Sequence, residues 1–69
     1  MLRCTAVIQR GEYSETRKLN VPVLPRIGDV VTYGGVHPES FVVKSFEYEM
    51  HPDTGDCTAI KVHLEVGNA

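Results

Sequence analysis

The chain has no tryptophan, only two cysteines and no long apolar run. Each shortage closes off a class of protein. Cys4 and Cys57 fall short of the four to eight cysteines that staple a small secreted domain, so the sequence reads as two free thiols, with a single Cys4–Cys57 bridge left open. No segment approaches the roughly 20 apolar residues of a membrane-spanning helix. The opening MLRCTAVIQR carries no apolar stretch of leader length. The expectation is a cytoplasmic protein that does not engage membranes. Basic residues are scarce as well: net charge is −2, and the longest basic run is Arg17-Lys18. Phosphate-backbone binding draws on several Lys and Arg side chains acting together, so nucleic acid is a disfavoured partner. Its one route is a local patch from Arg3, Arg10, Arg17, Lys18 and Arg26. No apolar pattern recurs at the 3.6-residue period, which excludes an amphipathic helix as the organising element.

Alternation at period two dominates instead. In LRCTAVIQ, Leu2, Cys4, Ala6 and Ile8 share one side and Arg3, Thr5, Val7 and Gln9 the other, the signature of a half-buried strand. Gly11 then offers a turn. Residues 12–20 are ambiguous between a strand and a helical turn. The strand is favoured, because Gly11 makes it the return arm of a hairpin and Pro22 ends it. Pro22 and Pro25 hold VPVLPRIGD extended, and Gly28-Asp29 turns the chain into a strand, DVVTY. Gly34-Gly35 closes that strand, VHPES forms a loop, and FVVKSFEYEM and CTAIKVHLEV make a final hairpin. All 69 residues form one domain, residues 67–69 being expected to fray.

The register of the last hairpin follows from burial. Pairing Phe46 with Val62 and Tyr48 with Ile60 turns both apolar sets inward and leaves Glu47 opposite Lys61 on the outer face. Continued to the tip, this register makes Pro52 meet Asp56 across a three-residue loop, Asp53-Thr54-Gly55, with Gly55 at positive φ. A four-residue loop, Pro52 to Gly55, would pair His51 with Asp56 and shift parity by one. It therefore demands a compensating bulge.

Asp53-Thr54-Gly55 spells an aspartic-protease signature, but that chemistry needs two carboxylates sharing a buried site. Here the tripeptide follows Met50-His51-Pro52 and precedes another acid, so it reads as a turn. His51, Asp53, Asp56 and Cys57 gather near the tip without the spacing of a zinc site or a calcium loop. No metal or cofactor is assigned. Cys4 sits on the apolar side of its strand, and nothing in the spacing forces a Cys–His pair with His37, His51 or His63. Gly34-Gly35 precedes no helix and is no phosphate loop. Val7, on the polar side of its strand, and the consecutive Phe41, Val42 and Val43 place apolar groups on both faces of the sheet. These four are the candidate interface residues, and the expected partner is another protein, a second copy first.

Leu24-Pro25-Arg26-Ile27-Gly28-Asp29-Val30-Val31, then Phe41-Val42-Val43-Lys44 and a closing hairpin, resemble small SH3-like β-barrel proteins of unknown function carried on mobile DNA, of the integron-cassette or phage type. The likeness covers residues 19–66 and marks turns rather than a site. It implies an all-β, five-stranded antiparallel SH3-like barrel. Type II dihydrofolate reductases are also barrels of this kind, with a Val-Gln-Ile-Tyr pore motif. The corresponding strand here reads Thr58-Ala59-Ile60-Lys61-Val62-His63, so no functional residue carries over. The expected protein is a non-enzymatic interaction module that self-associates through its sheet surface. The alternative is a small-ligand or metal binder using the 51–56 tip or an intersubunit cleft.

Overall fold

The computed structural model describes residues 1–66, and the expected fraying of 67–69 lies outside them. The described chain is all-β: β1 (Leu2–Arg10), β2 (Tyr13–Val21), β3 (Val30–Tyr33), β4 (Glu39–Met50) and β5 (Cys57–Val66). The ambiguous stretch 12–20 is therefore strand from Tyr13 onward. The five strands form one curled half-barrel sheet in the order β2-β1-β5-β4-β3.

The fully antiparallel expectation is corrected at the centre. β1 and β5 run parallel, from Thr5/Lys61 to Gln9/Glu65. Two hairpins, β1–β2 and β4–β5, lie side by side, and their first and last strands face the same way. No ladder joins edge strands β2 and β3 among the described residues, so the sheet curls without closing through its backbone.

The apolar parity of each strand points into the curl. Cys4, Ala6 and Ile8 of β1, Leu19 of β2, Phe41 and Val43 of β4, and Val62 and Leu64 of β5 are buried. Val21, Leu24, Val31, Tyr33, Phe46 and Ile60 pack against them. In β4 the inward parity changes from odd (41, 43) to even (46, 48). The ladder slips there, between Val43 and Ser45, leaving Lys44 as the extra residue. A one-residue bulge reverses which alternate side chains face the core, and here it keeps both halves of a 12-residue strand apolar inward.

Turn chemistry matches the letters. Gly11 (φ 60°) leads a two-residue turn, the pattern of a type II′ hairpin. Gly28 (φ 95°) takes the third place of the Arg26–Asp29 turn, which is closed by Asp29 N–H donating to the Arg26 carbonyl at 3.0 Å. The Asp29 carboxylate accepts back from the Arg26 N–H at 2.8 Å. That turn is pinned to β4 through Gly28 N–H to the Val43 carbonyl and Val43 N–H to the Asp29 carbonyl.

Phe46/Val62, Tyr48/Ile60 and Glu47/Lys61 pair as the burial argument requires, and Gly55 has φ 76°. The loop itself is the four-residue one. His51 N–H donates to the Asp56 carbonyl at 2.7 Å, and Gly55 N–H to the His51 carbonyl at 2.9 Å. The expected Pro52/Asp56 closure gives way because the ladder skips Thr58, pairing Glu49 with Ala59 and Met50 with Cys57. That is the compensating bulge the longer loop demands. Two local preferences favour it: Pro52 suits the first corner of a turn, and His51 Nδ1 accepts from the Asp53 and Thr54 N–H groups at 3.2 and 3.3 Å.

Candidate functional site

Two regions draw attention: the arm in which β4 and β5 run beyond the core, and the open mouth at the opposite end of the sheet. On the arm, Phe46, Tyr48 and Met50 share the inner face with Ile60. Burial falls along that line, from half-buried Phe46 to Tyr48 at 47% and Met50 at 55% exposure. Leu2, at 40%, adds to the exposed apolar surface. The arm's outer face is polar and laced with ion pairs. Lys61 Nζ lies 2.6 Å from Glu49 and 3.8 Å from Glu47, and His63 lies 3.3 Å from Glu47. The hydrogen bond to Glu49, then the charges of Glu49 and Glu47, raise the Lys61 pKa.

At the mouth, alternation carries charge onto the core side of the sheet. Beyond Ile8 comes Arg10, and beyond Leu19 come Arg17 and Glu15. Arg10 bridges Glu15 and, at 2.7 Å, Glu39. Arg17 reaches Glu39 at 3.0 Å and Glu15 at 3.4 Å. Both guanidinium groups lie over the Phe41 ring, at 5.6 and 5.9 Å from its centroid, and Arg17 is 5.1 Å from that of Tyr33. Such stacking adds a cation–π attraction. The Tyr33 hydroxyl donates to the Lys18 carbonyl at 3.0 Å, so side chains span the seam that no ladder closes. Hydrogen bonds from Arg10 and then Arg17 lower the Glu39 pKa; a hydrogen bond from Arg10 chiefly lowers that of Glu15. The quartet is charge-neutral and self-satisfied. It closes the mouth and leaves Arg10 and Arg17 already paired. Sequence reasoning missed it, although charged residues continuing an apolar parity were the available signal.

The other singled-out residues fall into place. Phe41 and Val43 have no exposed surface; Val7 and Val42 are half-buried on the outer face, opposite His63 and Glu65. At the tip, His51 caps its own loop through Nδ1, and Asp56 N–H donates to the Thr54 hydroxyl at 3.2 Å. Among the described residues no cluster of three or more His, Cys, Asp or Glu side chains is arranged to hold a metal ion. Cys4 is buried and Cys57 exposed, both as free thiols. Burial pushes the Cys4 thiol pKa up. No helix among the described residues is long and apolar enough to cross a membrane. Comparison with protein-family models, with curated proteins and with solved structures found no match.

Proposed function

We propose that this chain is a non-enzymatic binding module of SH3-like kind whose first partner is a second copy of itself, seated on the inner face of the β4–β5 arm. The five-stranded curled sheet supports the architectural part of the reading. The observation that carries the functional part is the apolar inner face running out of the core through Phe46 to Tyr48 and Met50, exposed where the arm outreaches the other strands. A twofold axis across the arm lays that strip against its own copy, the self-complementary geometry of an isologous dimer. On the arm's outer side Lys61, held between Glu47 and Glu49, offsets one of the two carboxylates and moderates like-charge repulsion between copies.

Sedimentation equilibrium at micromolar concentration tests the reading. The protein should sediment at about twice its 7.7 kDa monomer mass, and the double variant Tyr48→Lys, Met50→Lys as a folded monomer. A parent protein that is monomeric throughout, or a variant that dimerises as tightly as the parent, would overturn it.

A further inference from the structure

The parallel ladder between β1 and β5 begins only at Thr5/Lys61. Before it, Leu2–Cys4 and Cys57–Ile60 run unpaired with each other, and the two hairpins part in a fork. Backbone groups of β1 face into this fork. Arg10 and Tyr13 flank a two-residue turn and so exchange both of their backbone bonds. By alternation Cys4, Ala6 and Ile8 also bond toward β2, while Arg3, Thr5, Val7 and Gln9 direct theirs toward β5. The Lys18 carbonyl, opposite Thr5, accordingly points away from β1 to meet Tyr33. Arg3, one step before the ladder, therefore presents its N–H and carbonyl to the opening.

A hollow of about 450 Å³ occupies the fork. Arg3, Thr5, Lys18, Asn20 and Thr58 supply its polar wall, Ala59 and Ile60 apolar surface, and no carboxylate lines it. The distribution of cations singles it out. Of the seven Lys and Arg residues, Arg10, Arg17, Lys44 and Lys61 have carboxylate partners. Among the described residues Arg3, Lys18 and Arg26 have none, and two of those three converge on this hollow.

We infer that the fork is a binding site for the phosphate group of a small phosphate monoester. Two cations match the dianion in charge. The guanidinium, ammonium, Thr5 hydroxyl, Asn20 amide and Arg3 N–H together offer more donors than a carboxylate can use, as three phosphate oxygens require. Ala59 and Ile60 provide an apolar surface for the organic body. A nucleic-acid strand fits less well: Glu49 and Glu47 stand on the neighbouring strand, opposite Ala59 and Lys61, and would repel further phosphates. Apart from Ile60, this site uses residues other than those of the proposed dimer contact, and it stands or falls separately.

The test is a ¹⁵N–¹H titration at fixed ionic strength with phenyl phosphate, inorganic phosphate, benzoate and a short single-stranded oligonucleotide. Phenyl phosphate should shift Arg3, Thr5, Lys18, Asn20 and Thr58 saturably. Its Kd should rise about tenfold or more, the scale of one lost charge-assisted hydrogen bond, in Arg3→Ala and in Lys18→Ala, and stay unchanged in Lys44→Ala. Arg3 and Lys18 are exposed, so both variants should keep the parent's dispersed spectrum. Tighter binding of phenyl phosphate than of inorganic phosphate supports an organic ester, whereas equal binding points to free phosphate as the source. Benzoate binding as well as phenyl phosphate, an oligonucleotide binding more tightly across the outer face, or no saturable shift would each overturn the assignment.

Discussion

A handful of side chains carry consequences that a single substitution can expose. Gly55 holds φ 76° in open surroundings, with no atom near the place of an added Cβ. Gly55→Ala thus meets backbone strain and no clash, and should cost about 1–2 kcal/mol in a denaturant titration. The two thiols should behave differently. Exposed Cys57 should alkylate readily with iodoacetamide near pH 8. Buried Cys4, its pKa raised by desolvation, should be protected until the domain opens. Mass spectrometry of a timed reaction would show one adduct first, at Cys57; equal rates would contradict the burial of β1. Across the seam, Tyr33→Phe removes the hydroxyl bond to Lys18 while keeping the ring beside Phe41. A loss of about 0.5–1.5 kcal/mol is expected.

At the scale of elements, the two bulges of the β4–β5 hairpin decide which side chains face the core and how the loop closes. Lys44 is the extra residue that lets β4 keep Phe41 and Val43, then Phe46 and Tyr48, on one face. Deleting Lys44 would set one of these pairs against solvent, and the protein should fail to give a cooperative melt. This bulge was not anticipated, because Phe41, Val42 and Val43 are all apolar and neither parity stands out ahead of Lys44. The register of β4 against β5 was legible, because Phe46, Tyr48, Ile60, Val62 and Leu64 leave one arrangement with every apolar group inward. The second bulge, at Thr58, was not. Exposed residues at a hairpin end carry no burial pattern, so nothing in CTA marks which of them the ladder will skip. The direction of β1 against β5 was equally hidden, since alternation tells which face a strand buries but not which neighbour it pairs with. The mouth quartet escaped because charged residues were read as facing solvent. Arg10, Glu15 and Arg17 lie on the core parity and find one another instead.

For the molecule as a whole, the quartet makes stability depend on pH in one direction. Glu15 and Glu39 have folded pKa values below their ordinary ones. Their contribution is therefore fully present above the unfolded carboxylate value of about 4.3. It is lost as pH falls through the folded values. Melting temperature should be flat near neutrality and decline on acidification below about pH 4–5. Replacing both carboxylates, Glu15→Gln with Glu39→Gln, should lower stability at neutral pH and flatten that acid limb. An unchanged limb in the double variant would assign the acid sensitivity elsewhere.

The parallel join between the hairpins also sets an order of events in folding. Each hairpin closes over a short loop, but Thr5 and Lys61 are 56 positions apart (61 − 5), and the five-rung ladder between them cannot form until most of the chain has been gathered. Long-range closure of this kind costs entropy before any contact repays it, and domains dominated by it fold in milliseconds to seconds rather than microseconds. Two preformed ribbons docking edge to edge would place the barrier at that join. Ala6→Gly, on the rungs, should then slow refolding. Met50→Ala, on the far arm, should leave the refolding rate of the isolated subunit nearly unchanged.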